Sequence, residues 1–171
     1  LPSGPLFIAD CFLTVDPSAD DIVATTESSM AFVRQFGIQP KVALLSHSNF
    51  GTSGVPAASK MRLASEILRA RHSEAEIDGE MHSLTALDSA YRQTIYDDSQ
   101  LQGIAILLVF HGLDVANIAL GLLRQKANGL LIGPYMSGLK RPAHIMVNSA
   151  TPRAIFNVSA LAAAEILSKR D

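Results

Sequence analysis

The sequence predicts an α/β fold, a largely parallel sheet covered by helices on both faces, and three observations predict it. Short apolar runs alternate with stretches whose apolar residues recur every three or four positions. The runs are apolar throughout rather than at every second residue, the pattern of strands buried on both faces. The segments that follow the runs are rich in Gly, Ser, Asn and Pro, which gives the strand, loop, helix order of parallel sheets.

Taken in order, Leu6–Cys11 is the first expected strand, ahead of a turn at Asp16-Pro17. Ser18 is placed to cap a helix carrying Ile22, Val23, Thr26, Met30 and Val33 at helical spacing, with Gly37 closing it. Val42–Leu45 reads as a buried strand, and the polar loop Ser46–Ala57 leads into a helix that places Met61, Ala64, Ile67 and Leu68 on one face. A strand at Ala75–Ile77, a helix near Leu84–Ile95, a strand at Ile104–Phe110 and a helix at Asp114–Arg124 follow. Leu130–Gly133 and Ala143–Val147 are expected as further strands, and Pro152–Lys169 as the last helix, with Thr151 as its N-cap.

Ligands on open parallel sheets sit beyond the carboxyl ends of the strands. Ser46–Asn49, Asp78–His82, His111-Gly112, Gly133-Pro134-Tyr135 and Asn148-Ser149 all follow expected strands, so they are expected to gather on one rim. Backbone N–H groups at glycine turns and helix starts, helped by hydroxyls, suit a phosphate or a pantetheine arm, and Gly133, Gly138, Ser149 and Thr151 fit that description. Asp78, Glu80 and His82 would share one side of an extended segment. That spacing at one strand end is not a strong metal signature, and no metal is assigned.

The chain has 171 residues, 48% of them hydrophobic, with a formal net charge of −2 and one cysteine, Cys11. That length accommodates one domain with a sizeable core, or a domain plus a segment belonging to a neighbour. Without a Lys/Arg cluster there is no electrostatic footprint for nucleic acid or an anionic membrane. The longest apolar run, Ile104–Phe110, is too short to span a bilayer. A lone cysteine excludes an intrachain disulfide framework and fits a cytoplasmic setting.

Arg141–Asn157 reads RPAHIMVNSATPRAIFN. It resembles the substrate-binding turn of phosphate acetyltransferases, K-P-x-x-x-L-S-R-G-x-S-x-x-D-I-V-N, with its reactive side chains replaced. In that family the Ser and Arg hold the acyl-phosphate and the Asp takes the thiol proton of coenzyme A; here the corresponding residues are Val147, Asn148 and Ala154. The thiolate is the nucleophile in such a thiolysis and needs a base in reach, which a methyl group cannot be. Asn148 offers donors without charge, and Val147 offers none.

VALLSHSNFGTSGVPAASKMR (Val42–Arg62), IDGEMHSLTAL (Ile77–Leu87), LVFHGLDVANIALGLL (Leu108–Leu123) and IGPYMSGLKRP (Ile132–Pro142) resemble, segment by segment, the C-terminal phosphotransacetylase-like domain of bacterial NADP-dependent malic enzymes. The pairing of LSHSNFG with DGEMH favours that branch over free-standing acetyltransferases. The resemblance implies a sheet like that of phosphotransacetylases and isocitrate or isopropylmalate dehydrogenases, with this chain forming the C-terminal half. Residues 18–140 would form a compact subdomain, and 1–17 and 141–171 would pack with a neighbouring subdomain.

By the same resemblance, the domain is a catalytically silent regulatory and oligomerisation module that binds acetyl-CoA or CoA through Gly133, Pro134, Gly138, Asn148, Ser149 and Thr151. NADP and a divalent metal would belong to the malic-enzyme catalytic domain of the same polypeptide, and the assembly would be a homo-oligomer. The competing expectation is an active phosphate acetyl- or butyryltransferase, and a third is a purely structural oligomerisation domain without ligand binding.

Overall fold

The computed structural model describes residues 4–10, 12–127, 129–146, 148 and 150–168. The strands are β1 (Phe7–Ala9), β2 (Lys41–Leu45), β3 (Glu76–Met81) and β4 (Leu107–Val109). The helices are α1 (Ala19–Arg34), α2 (Pro56–Arg71), α3 (Ser83–Leu87), α4 (Ser89–Ile95), α5 (Leu113–Lys126) and α6 (Pro152–Ser168). The strands form one sheet in the order β1-β4-β2-β3, with every neighbouring pair parallel. The expected parallel architecture is therefore present.

Alternate residues of β2 explain why the run has no polar face. Val42 and Leu44 pack with Ile22, Val23, Met30 and Val33 of α1 and Met61, Ala64 and Leu68 of α2. Ala43 and Leu45 point the other way, into a cluster with Met81, Ala86, Leu101, Ala105 and Leu108. Each face thus removes apolar surface from water, the dominant favourable contribution to folding.

Local signals set several boundaries. Ser18 and Asp21 form a reciprocal capping box at the start of α1, and Gly37, at φ +69°, lies just beyond its end. Pro56 opens α2, where its missing N–H is not needed. The single helix expected over 84–95 is two helices. Asp88 ends α3 in an extended conformation, and its side chain accepts from the Tyr91 N–H at 2.9 Å to start α4.

The strands expected at Leu130–Gly133 and Ala143–Val147 are absent among the described residues, and Val147 lies outside them. A strand exists through the ladder bonds of a neighbour. Leu130 and Ile132 are about half exposed instead. β1 and β4 are shorter than expected, and β3 is longer.

The chain divides into two compact units, one running to Leu123 and holding the sheet, the other starting at Arg124 and holding α6. β1 pairs with β4 inside the first unit, so Phe7–Ala9 belongs to the sheet.

Candidate functional site

In the first unit, two of the polar segments expected on the rim do come together. The backbone N–H of Ser46 donates to the Met81 carbonyl at 2.9 Å, and that of Phe50 to the Glu80 carbonyl at 2.8 Å. Glu80 is fully buried and organises the loop after β2. Its Oε1 accepts from Ser48 Oγ at 2.8 Å and from the Gly51 N–H at 2.9 Å, and its Oε2 from Arg62 Nε at 3.1 Å. Arg62 also donates to the Ser53 carbonyl at 2.7 Å. Burial works to raise the Glu80 carboxyl, but Arg62, the Gly51 N–H and the Ser48 hydroxyl outweigh it and hold the group below the usual glutamate range.

Asn49 ties the same loop to α3. Its Oδ1 accepts from the His82 N–H at 2.8 Å and from Thr85 Oγ1 at 2.9 Å. His82 Nε2 bonds to the His47 carbonyl, and His47 Nε2 lies 3.2 Å from Ser53 Oγ. Phe50, at φ +47°, stacks on Tyr96 with centroids 4.0 Å apart. Each of these groups is engaged in holding a loop.

The expectation that Asp78, Glu80 and His82 share one side is corrected by the register. Leu44 faces Gly79 and Leu45 faces Met81, so Glu80 is an extra residue, and a bulge breaks the alternation. Asp78, also fully buried, bonds to Ser99 Oγ at 2.8 Å and the Gln100 N–H at 3.0 Å, with Arg69 at 3.6 Å. Among the described residues no group of three His, Cys, Asp or Glu could hold a metal ion. Gly112 sits where an added Cβ would lie 2.9 Å from the Val15 carbonyl, so its lack of a side chain serves backbone packing.

An open cleft of about 290 Å³ is lined by Arg34, Gln39, Arg71, His72, Ser73, Glu74 and Ala75. It lies at the amino ends of β2 and β3. Arg34 and Arg71 there occupy the last turns of α1 and α2, where cations complement the helix dipole, and Glu27 bonds both Arg71 and His72. Those basic groups therefore have a structural explanation.

In the second unit, Gly133 has φ +141° and is joined to Pro134 by a cis peptide, and Gly138 has φ +80°. Tyr135 donates its hydroxyl to Glu165 Oε2, and its ring lies 4.4 Å from that of His144. Burial foremost, then the bond to Glu165 and its charge, push the Tyr135 hydroxyl well above its usual range, so it stays protonated. His144 Nδ1 accepts from the Met136 N–H at 3.2 Å. Thr151 caps α6 as expected, its Oγ1 accepting from the Ala154 N–H at 3.2 Å. Ala154 sits in the first turn of α6, and Asn148 is exposed on a turn. Val147 and Ser149 lie outside the described residues. Thr151→Ala should lower stability by about 1 kcal/mol, read as a lower urea midpoint with an unchanged slope.

Sequence reasoning did not single out Arg62 or Glu165. Arg62 carried no signal, being one more cation on a helix. Glu165 did, as a lone carboxylate inside the apolar run ALAAAEIL of α6.

The family model described as Phosphate acetyl/butaryl transferase matches residues 1–163. The chain belongs to this family. Within it, the chain is 45% identical to the NADP-dependent malic enzyme of Escherichia coli K12 over 166 residues, 96% of this chain and 22% of that enzyme. It is 43% identical to the NAD-dependent malic enzyme of Rhizobium meliloti over 162 residues, 95% of this chain and 21% of that one. A solved phosphotransacetylase from Streptococcus pyogenes superposes with a TM-score of 0.91 at 26% identity, covering 98% of this chain and 51% of that structure. The chain thus spans about a fifth of the malic enzymes it resembles. These comparisons agree with the resemblance to the phosphotransacetylase-like part of malic enzymes. No described helix is long and apolar enough to cross a membrane.

Proposed function

We propose that this chain is a catalytically silent, CoA-ester-binding regulatory and assembly domain of a decarboxylating malic enzyme, which converts malate to pyruvate and CO2. The observation that carries the reading is Ala154. It occupies the position where the family pattern places the proton-accepting Asp, at the start of α6, with no titratable group. Thiolysis of an acyl-phosphate there would have no base on the thiol. What remains suits holding rather than converting a ligand: the glycine turns at Gly133 and Gly138, and the hydroxyl and backbone donors at the start of α6.

Acetyl-CoA is the proposed effector, with Gly133, Pro134, Gly138, Asn148, Ser149 and Thr151 around it. The nicotinamide cofactor and a divalent metal would be held by the catalytic domain of the same polypeptide, and none of the residues described above is assigned to them. Coupling would run through contacts between copies, with a typical coupling free energy of about 1–3 kcal/mol.

The test pairs calorimetric titration with a turnover assay using acetyl-phosphate and CoA. Binding of acetyl-CoA without thiol-dependent phosphate release is the expected result, and Gly133→Val, which puts a branched side chain at a left-handed φ, should weaken binding at least about tenfold. Turnover proportional to protein would establish the active acyltransferase instead.

A further inference from the structure

Helix α5 is apolar on two sides, and only one of them is covered. Ala116 is fully buried, with Leu113, Leu120 and Leu123 partly buried along the same inward side. Val115, Ile118 and Leu122 recur at helical spacing on the opposite side and are 40%, 63% and 63% exposed. By contrast, the exposed positions of α1 are charged or alanine: Asp20, Asp21, Ala24, Ala31 and Arg34. A helix apolar all round has a sequence suited to burial all round. The loop after β1 adjoins the start of α5, where the Val15 carbonyl accepts from the Leu113 N–H at 3.3 Å, and it too exposes Phe12, Leu13 and Val15. Single exposed apolar side chains need no explanation, whereas a cluster of them marks a docking surface.

The outer side of α5 is complementary to itself. Ile118 stands out from it, and three residues on Gly121 leaves a notch where an added Cβ would meet nothing within 4 Å. Asp114 is in the first turn and Arg124 in the last, both exposed. In an isologous pair residue i meets j and j meets i, so on two antiparallel copies of one helix every contacting pair has the same midpoint in sequence. Ile118 with Gly121, Val115 with Leu122 and Asp114 with Arg124 all share a midpoint within one residue of Ala119. At about 100° per residue, Asp114, Gly121 and Arg124 fall on one flank of Ile118 and Val115 and Leu122 on the other. An antiparallel two-fold brings like flanks together, so bump meets notch, apolar meets apolar and acid meets base in a single register. A parallel pair would set each charge against its own copy. A different partner would not require one helix to carry both halves of every pair.

We infer that the outer side of α5 docks on α5 of a second copy of this chain in an antiparallel two-fold pair, with Ile118 seated in the partner's Gly121 notch and Asp114 facing the partner's Arg124. This rests on the assembly role given above, for which it names the contact, and is independent of the CoA ester.

Sedimentation velocity of the intact chain without ligand tests it. Wild type should dimerise, and Ile118→Glu, which would bring two unpaired carboxylates into the contact, should raise the dimer Kd at least about a hundredfold. Gly121→Leu tests the seating. It adds apolar surface and favours the helix, so general stickiness would tighten the dimer, whereas a filled notch should weaken it about tenfold or more. Asp114→Arg should raise the Kd roughly tenfold, and adding Arg124→Asp to it should recover most of that loss. All of these positions are exposed, so urea midpoints should stay near that of wild type. A dimer indifferent to Ile118→Glu, a dimer tightened by Gly121→Leu, or a double charge variant no stronger than Asp114→Arg would each overturn this inference alone. A wild-type monomer at high concentration would overturn the assembly role with it, leaving α5 to be covered by another part of the polypeptide.

Discussion

Gly79→Ala should destabilise the first unit by roughly 2–6 kcal/mol, a large share of the ordinary stability of a domain. Gly79 has φ +146°, a region that L side chains rarely adopt, and a Cβ there would lie 2.7 Å from the Leu44 carbonyl oxygen and 2.9 Å from the Leu44 side chain. Neither neighbour can yield, because Leu44 is in the centre of the sheet and fully buried. The control is Gly54→Ala, where φ is ordinary and a Cβ meets nothing within 4 Å; it should stay within about 0.5 kcal/mol of wild type. Urea unfolding followed by circular dichroism reads both. Equal midpoints for Gly79→Ala and wild type would mean that the β2–β3 pairing at Gly79 is not as described.

Glu80→Gln should be next in size, at roughly 1–3 kcal/mol, and should alter the response to acid. The amide keeps the shape and one acceptor for Ser48 and the Gly51 N–H, but it turns a donor toward Arg62 and removes the charge that compensates a partly buried guanidinium. Because the Glu80 carboxyl is held below its usual value of 4.5 in the folded protein, its contribution is fully present above that value. It is lost as pH falls through the lowered folded value. Asp16, Asp21 and Glu27 are lowered too and act in the same direction, so the wild-type midpoint should fall steeply below about pH 4.5. The Glu80→Gln curve should be shallower in that window and displaced downward above it. Parallel curves would show that Glu80 does not couple to acid unfolding.

Both residues lie where sequence reading was partly right for a reason it could not supply. LSHSNFG and DGEMH stood out as a pair, and in the fold they are bonded to each other through Glu80 and Asn49. An alternation rule placed Asp78 and Glu80 together; the bulge at Glu80 separates them. The strands expected near 130 and 143 rested on apolar content, which is a necessary feature of a buried strand but does not provide a neighbour to pair with.

The sequence by itself determined what local chemistry controls. The capping box of Ser18 and Asp21, the Thr151 cap and the positions of β2, α1 and α2 follow from side chains within one or two turns of one another. The replacement of the family's Ser, Arg and Asp by Val147, Asn148 and Ala154 is likewise written in residue identity alone. Only the tertiary structure decided the strand order β1-β4-β2-β3, the closure of the loop by Ser48, Arg62 and Glu80 across 32 and 18 residues of chain, and the seating of the His144 ring against Tyr135. Those depend on which distant groups burial forces to find a hydrogen-bond partner, and no period or spacing along a single chain encodes that choice.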